Sequence, residues 1–298
     1  MWTTKNIPDQ RGKTMIVTGA NSGIGFETAR ELSLSGAYVI LACRNFKNAQ
    51  DALERIRQIS EKATVEASVL DLSDLYSVKQ FAKTVLQTHS RLDVLINNAG
   101  VATPPETKTA QGYELQFGVN FLGHFALTGY LYPLLRKTKG SRIVTLSSNG
   151  YQHASIDFQN LRSEISYDPM REYRQSKLAN LIFSVELNRR IGIKGDEVLS
   201  IATQPGANKT ELTRHLSPEE IAAGVERLGT FMEPWQGALS TLFAAVSEEA
   251  VSGKLIQPHE DGYRGYPSLV SIKENALDTA TGKKLWELAE EITGIHFP

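Results

Sequence analysis

"TMIVTGANSGIGFETARELS", residues 14–33, runs an apolar strand-like stretch into a turn with three glycines and then into an amphipathic helical pattern. Gly19, Gly23 and Gly25 stand as G-x-x-x-G-x-G, which differs from the G-x-G-x-x-G of the longer dinucleotide fingerprint. Glycine permits the tight turn and a close backbone approach, and the free N–H groups at the start of the following helix suit a pyrophosphate. A glycine-rich helix entrance without a ligand is the bland reading of the turn alone. Strand, turn and helix in this order, inside a first βαβ unit, are what a dinucleotide site requires.

Outward from this turn, short β-branched runs alternate with helical patterns through the first two-thirds of the chain, the signature of βαβ units around a parallel sheet. Strands are expected near 13–18, 37–43, 64–70, 92–97, 141–147 and 197–203. The last third differs: helices are expected over 209–230 and 234–248, with a short strand near 253–256. "ENALDTATGKKLWELAEEITG" reads as a terminal helix closed by Gly294. No repeat, low-complexity tract or Pro/Gly/Ser-rich linker marks a boundary, so the 298 residues are expected to form one domain.

Composition excludes more than it proposes. Lysine and arginine number 32 against 33 aspartates and glutamates, so no basic field points to a nucleic acid. Cys43 is the only cysteine, which rules out an internal disulfide and a multi-thiolate zinc site. His89, His124, His153, His215, His259 and His296 lack the paired spacing of a helical metal site, and no metal is expected. The opening "MWTTKNIPDQRGK" has no signal-peptide core and no apolar run approaches roughly 18 residues, so a soluble cytoplasmic protein without a transmembrane segment is expected.

After the second strand, a NAD-type site places an acid for the ribose hydroxyls. Here the stretch is "ILACRNFKN", and no acid lies between Glu31 and Asp51. Arg44 is suited to fork onto a 2′-phosphate, with Lys47 adding charge, and this favours NADP over NAD as cofactor. The competing reading is that Arg44 only caps a strand end at the surface.

Tyr173 and Lys177, in "EYRQSKLAN", share a helix face four residues apart. Interconverting an alcohol and a carbonyl moves a hydride, carried by a nicotinamide, and a proton, handled by the protein. A phenol with an ordinary pKa of ~10 is a poor base near neutrality, and an ammonium one turn away favours its phenolate. Tyr173 is therefore the expected general acid/base and Lys177 its electrostatic partner and ribose ligand. Ser148, at the carboxyl end of the "SRIVTLS" strand, is placed to hydrogen-bond the reacting oxygen, with Ser147 as the alternative.

"TGANSGIG", "NNAG" at 97–100, Asn120 in "GVNFLGHF", Ser148 and Tyr173-x-x-x-Lys177, in this order, resemble the short-chain dehydrogenase/reductase family over nearly the whole chain. "LACRN", "LQFGVNFLGHFALT", "SKLANLIFSVEL" and the 25-residue gap from Ser148 to Tyr173 are similar to its retinol-dehydrogenase-like branch and to bacterial oxidoreductases near it. Gln204 departs from that branch, which often has histidine there. The resemblance implies an α/β fold, a single-domain Rossmann-type doubly wound parallel sheet flanked by helices. It implies a cofactor site of Gly19, Asn21, Ser22, Gly23, Ile24, Gly25, Arg44, Asp71, Leu72, Asn98 and Gly100, with Tyr173 and Lys177, and a segment over the nicotinamide carrying Pro205, Gly206 and Thr210. It further implies that Asn120 supports the site through a water relaying protons towards Lys177. For Asn120 the alternative is an amide that satisfies backbone groups, and for Asp71 an N-cap of the helix that follows.

The function expected is NADP(H)-dependent interconversion of an alcohol and a ketone or aldehyde. The rival from another class is an NADP-binding regulator without turnover; a hydrolase is excluded because no G-x-S-x-G elbow occurs. Segments 149–172 and 207–235 are expected as substrate lids, the first mobile until substrate binds. Their Tyr151, Phe158, Tyr167, Leu212, Leu216, Phe231, Met232 and Trp235 suit an apolar substrate, and for each of them packing into the local core is the alternative reading. A homo-oligomer is compatible with the sequence.

Overall fold

The computed structural model describes residues 1–209 and 218–298. Strand β1 (Thr14–Thr18) is buried at every position, and it pairs in parallel with β2 (Tyr38–Cys43) on one side and β4 (Val94–Asn97) on the other. A strand covered on both faces has no solvent side to keep polar, hence the apolar run Met15-Ile16-Val17. With β3 (Thr64–Val69), β5 (Arg142–Leu146), β6 (Leu199–Thr203), β7 (Leu255–Glu260) and β8 (Arg264–Val270), the sheet order is β3-β2-β1-β4-β5-β6-β7-β8. All pairings are parallel except β7 with β8. The chain winds outward from β1 in both directions, so the carboxyl ends of β1 and β4 diverge and leave a crevice between them.

Helices cover both faces, and the side-chain period of two sorts each strand between two cores. Met15, Val17, Val39 and Leu41 pack with α1 (Gly23–Leu34), α2 (Phe46–Ile59) and α7 (Pro234–Val246). Ile16, Ile40, Leu95 and Ile143 pack with α3 (Leu75–Thr88), α4 (Gly123–Lys137), α5 (Pro169–Lys194) and α8 (Thr279–Thr293). Helix α6 spans Pro218–Leu228.

Three departures from the sequence expectations have physical reasons. β8, "RGYPSLV", is an additional antiparallel edge strand; Gly265 and Pro267 disguise it, and an edge is where a proline is tolerated. The terminal helix breaks into a 3₁₀ turn (Glu274–Ala276) and α8, because Asp278 caps a fresh start by accepting the Thr281 N–H at 2.9 Å; Gly294 does close it, at φ +68°. The expected helix 209–230 is α6 within the described residues, with 210–217 outside them.

α8 is held by aromatics. Trp286, 2% exposed, lies 5.0 Å from Phe125 of α4, 5.8 Å from Phe183 of α5 and 5.0 Å from Phe297, ring centre to ring centre. Trp286→Ala is expected to cost about 3–5 kcal/mol in urea unfolding, through lost burial and the cavity left behind. A cost below about 1 kcal/mol would show that α8 is not held by this cluster.

Candidate active site

The crevice opens into a cavity of ≈ 1030 Å³. At one end lies the glycine turn. Gly19 and Gly23 hold φ of +65° and +56°, in the left-handed region that side chains rarely adopt. A Cβ on Gly25 would collide with the Gly19 carbonyl and the Asn98 amide, so strand, turn and helix touch here only through glycine. Ser22 precedes α1 without capping it by its side chain, so the first N–H groups of the helix face the cavity uncapped. Asn21, Ser22 and Ile24 line the same wall.

The floor is set by Thr18. Its hydroxyl accepts the N–H groups of Asn98 and Ala99, both at 2.9 Å, while the Asn98 amide donates to the Thr18 carbonyl at 2.7 Å. His124 Nε2 lies 2.9 Å from the same hydroxyl, and its Nδ1 2.9 Å from the Asn120 carbonyl. Since the Asn120 carbonyl can only accept, Nδ1 carries the proton and Nε2 accepts from Thr18. Burial pushes His124 down to about 4, so the ring is neutral.

Arg44 is exposed on the cavity rim with Asn45 and Asn48 beside it. Arg44 makes no ion pair among the described residues, whereas Lys47 is held by Asp51 at 2.9 Å and does not line the cavity. Asp71 and Leu72 line it as well. The N-cap of α3 is Asp74, which accepts the Tyr76 N–H at 2.9 Å; Asp71 instead holds Ser73 through its N–H and hydroxyl, at 2.9 and 2.6 Å.

At the other end, the Ser148 hydroxyl bonds the Tyr173 phenol, and Gly150 N–H reaches Ser148 Oγ at 3.3 Å. Ser147 is turned away, donating to the Lys177 carbonyl at 2.7 Å inside the core. α5 delivers Tyr173 because Asp168 caps its start, accepting the Arg171 N–H, with Pro169 in the first turn. Lys177, 4% exposed, places Nζ 5.9 Å from the Tyr173 ring centre and 3.3 Å from the Leu146 carbonyl. In the protein alone burial dominates both groups: the lysine is pushed down to about 8 and the phenol upward, the Ser148 bond offsetting part of the latter.

Asn120 stands behind the wall. It lies in a π-helical turn (Phe117–Leu122), its side chain accepting the Val101 N–H at 2.8 Å and donating to the Val101 carbonyl at 3.0 Å and Ser176 Oγ at 2.9 Å. Gly100 separates it from Lys177: a Cβ there would lie 3.3 Å from Asn120 Oδ1 and 3.4 Å from Lys177 Nζ. Pro205 and Gly206 close the roof, and Thr210 lies outside the described residues.

The apolar wall is not the one expected. Tyr151, 2% exposed, is core; Tyr167 donates to the Pro104 carbonyl at 2.6 Å; Met232 is buried and Trp235 half exposed; neither they nor Phe158 line the cavity. Of the eight residues only Phe231 does so, Leu212 and Leu216 being outside the described residues. Val101, Leu115, Val119 and Met170 supply the lining instead. Tyr263, from the β7–β8 turn, also lines it and had no sequence signal. The Gly262 carbonyl accepts from Asn149 at 2.9 Å and from Gln204 at 2.7 Å, and Gln204 Oε1 accepts the Gly206 N–H at 2.8 Å. The hairpin thereby ties the serine loop to the Pro-Gly segment.

Among the described residues no group of three His, Cys, Asp or Glu is placed to hold a metal ion, and no helix is long and apolar enough to cross a membrane.

Comparison with known proteins agrees with this geometry. The family model for short chain dehydrogenase matches residues 13–221. Retinol dehydrogenase 14 of Mus musculus is 40% identical over 299 residues, covering 95% of this chain and 86% of that protein. Retinol dehydrogenase 13 of the same organism is 40% identical over 292 residues, covering 95% and 84%. A crystal structure of an uncharacterized protein from Mycobacterium Paratuberculosis superposes with a TM-score of 0.82 at 36% identity, covering 100% of this chain and 99% of that one. A structure from Beutenbergia cavernae, described as an NAD(P)-dependent gluconate 5-dehydrogenase with bound NADP at low occupancy, gives 0.65 at 26% identity, covering 80% and 92%. With the glycine turn at one end of the cavity and the serine, tyrosine and lysine at the other, the chain belongs to the short-chain dehydrogenase family of oxidoreductases.

Proposed function

We propose that the protein is an NADP(H)-dependent oxidoreductase that interconverts an alcohol with a ketone or aldehyde of largely apolar character. One observation carries the reading: Ser148, Tyr173 and Lys177 meet at one end of a cavity whose other end is the glycine turn and Arg44. The uncapped start of α1 and the glycine cradle fit a pyrophosphate. Arg44, with Asn45 and Asn48 as further donors, fits a 2′-phosphate, and the neighbouring Asp71 carboxylate is turned to the Ser73 N–H and hydroxyl. NADP in the Beutenbergia cavernae structure supports this choice, and the retinol dehydrogenases, named for an apolar alcohol, support the substrate class.

When bound, a nicotinamide dinucleotide supplies or takes up the hydride. Tyr173 then gives its phenolic proton to the reacting oxygen in reduction, or removes it in oxidation. Ser148 hydrogen-bonds that oxygen as charge develops on it. Lys177 holds a positive charge beneath the phenol and donates to the ribose. Asn120 acts as a positioning residue, fixing Val101 and, through His124, the floor of the site. Segment 149–172 and the described part of 207–235, through Ala207, Asn208 and Phe231, frame the substrate end.

Tyr173→Phe removes only the phenolic oxygen. It is expected to lower kcat by about 10²- to 10⁴-fold while leaving the Kd for NADPH within about twofold. Near-normal turnover of a carbonyl panel, followed by nicotinamide absorbance, would sink the assignment; NADPH binding with no turnover in the wild type would favour the regulatory reading.

Arg44→Ala is expected to weaken NADP(H) by about 1.5–3 kcal/mol, the worth of a charged hydrogen bond, and NAD(H) far less. Equal losses in parallel titrations would make Arg44 structural.

The buried lysine gives a pH signature. An unfolded chain keeps Lys177 protonated up to its ordinary value near 10.5, and the folded free enzyme releases the proton near 8. Between these values the unfolded state binds more protons, so this group's contribution to stability rises with pH. Urea unfolding of the free enzyme should show the wild type gaining about 1–3 kcal/mol on Lys177→Met across that window. A pH-independent difference would mean that the ammonium is buried at no cost.

A further inference from the structure

Arg174 follows Tyr173 directly on α5. It lines the cavity with Met170 and with His153 of the serine loop, at the end where Ser148 and Tyr173 meet. Its stem runs against Gly150: a Cβ on that glycine would lie 3.2 Å from Arg174 Cγ, 3.8 Å from Ser148 Oγ and 4.0 Å from Tyr173 Cε1. The Arg174 stem, Ser148 Oγ and the edge of the Tyr173 ring therefore border the same small space.

The guanidinium is uncommitted. Every other arginine of α5 is matched to a carboxylate: Arg171 to Glu172, and Arg189 and Arg190 to Glu186. Arg174 has no hydrogen bond and no ion pair among the described residues, although it is half-buried. Among the described residues Asp71 is the one carboxylate that lines the cavity, and it follows β3, four strands from β5. At ~4.8 Å per strand that places it roughly 19 Å away across the sheet. Arg44 follows β2, three strands from β5, so the cation suited to a 2′-phosphate lies about 14 Å away on the same measure.

We propose that Arg174 forms an anion subsite for the substrate, so that the enzyme acts on carbonyl compounds or alcohols that also carry a carboxylate. The carbonyl sits at Ser148 and Tyr173, the hydrocarbon lies against Val101, Leu115, Val119 and Met170, and the guanidinium takes the carboxylate in its two-pronged geometry. This subsite rests on the oxidoreductase reading and names the substrate class that the reading leaves open.

The test is reduction of short, medium and long ω-oxo carboxylic acids by NADPH, each acid paired with its methyl ester. The quantity read is the ratio of kcat/KM for acid over ester, taken within one protein so that a general loss from altering Tyr173's neighbour cancels. The wild type is expected to favour the acid at one chain length or more, less so at high ionic strength. Arg174→Gln should lower that ratio by about 10- to 100-fold, the equivalent of one charged hydrogen bond, and Arg174→Lys should restore part of it. A ratio that Arg174→Gln leaves unchanged at every length overturns the subsite while the oxidoreductase reading stands. A loss seen only as a raised Kd for NADPH assigns the guanidinium to the cofactor and likewise overturns it. If the wild type reduces neither acids nor esters, both readings fall.

Discussion

The hydroxyl of Thr18 is the point on which the site depends. It is buried where β1 and β4 part, and it accepts two backbone N–H groups from the turn that follows β4. Those N–H groups belong to a turn, so no strand ladder satisfies them; the Asn98 N–H has the Ile96 carbonyl at 3.0 Å as a second acceptor, but an isosteric valine would strand the Ala99 donor at about 1–3 kcal/mol. The single hydroxyl proton goes to His124, and His124 in turn holds the Asn120 carbonyl. Through these few bonds the glycine turn, the Asn98 turn and the π-helical turn keep a fixed relation. The crevice between the sheet halves thereby becomes a shaped cavity.

The cavity is polar at its rims, and in its middle burial disfavours charge, Lys177 with a value of about 8 keeping its proton near neutral pH. Arg44 is exposed at one rim and Arg174 is half-buried at the other, where their charges stay partly hydrated. His124, Tyr173 and Lys177 lie deeper, and burial pushes each towards its uncharged form. The sequence argument that Lys177 lowers the Tyr173 pKa considers the pair in isolation. In the folded protein the desolvation of both groups opposes it, and the Ser148 hydrogen bond is what draws the phenol back. A low-dielectric middle also strengthens any charge that develops there, which is where the proton is to move.

The parts of this molecule legible in the sequence are those in which neighbours along the chain are also neighbours in space. The glycine turn, the parallel strands and the Tyr173–Lys177 face are set by local spacing, and Gly294 ends its helix by its own φ. Other features turn on distant partners. Arg174 carries no mark in the sequence until Gly150 is folded against it, and Tyr263 reaches the cavity only because β8, disguised by Gly265 and Pro267, turns back along β7. Asp71 and Asp74 are equally good cap candidates by composition, and only the hydrogen bonds separate them. Tyr151 and Met232 went to the core because a large apolar residue in a loop satisfies either a pocket or a core. Sequence composition does not distinguish the two.

The double acceptor role of the Gly262 carbonyl bears on how the enzyme is made. A ribosome that has released the chain through Gly206 has already delivered the glycine turn, Ser148, Tyr173, Lys177 and the Pro-Gly segment. Asn149 and Gln204 still lack the carbonyl that joins them, which arrives more than fifty residues after Gln204. Chains truncated before the β7–β8 hairpin thus hold every group proposed for the chemistry without the clasp that ties the loop after Ser148 to the Pro-Gly segment. The bonds that join Asn149 to Gln204 are thus completed late in synthesis, by a stretch that lies beyond residue 221, where the family match ends.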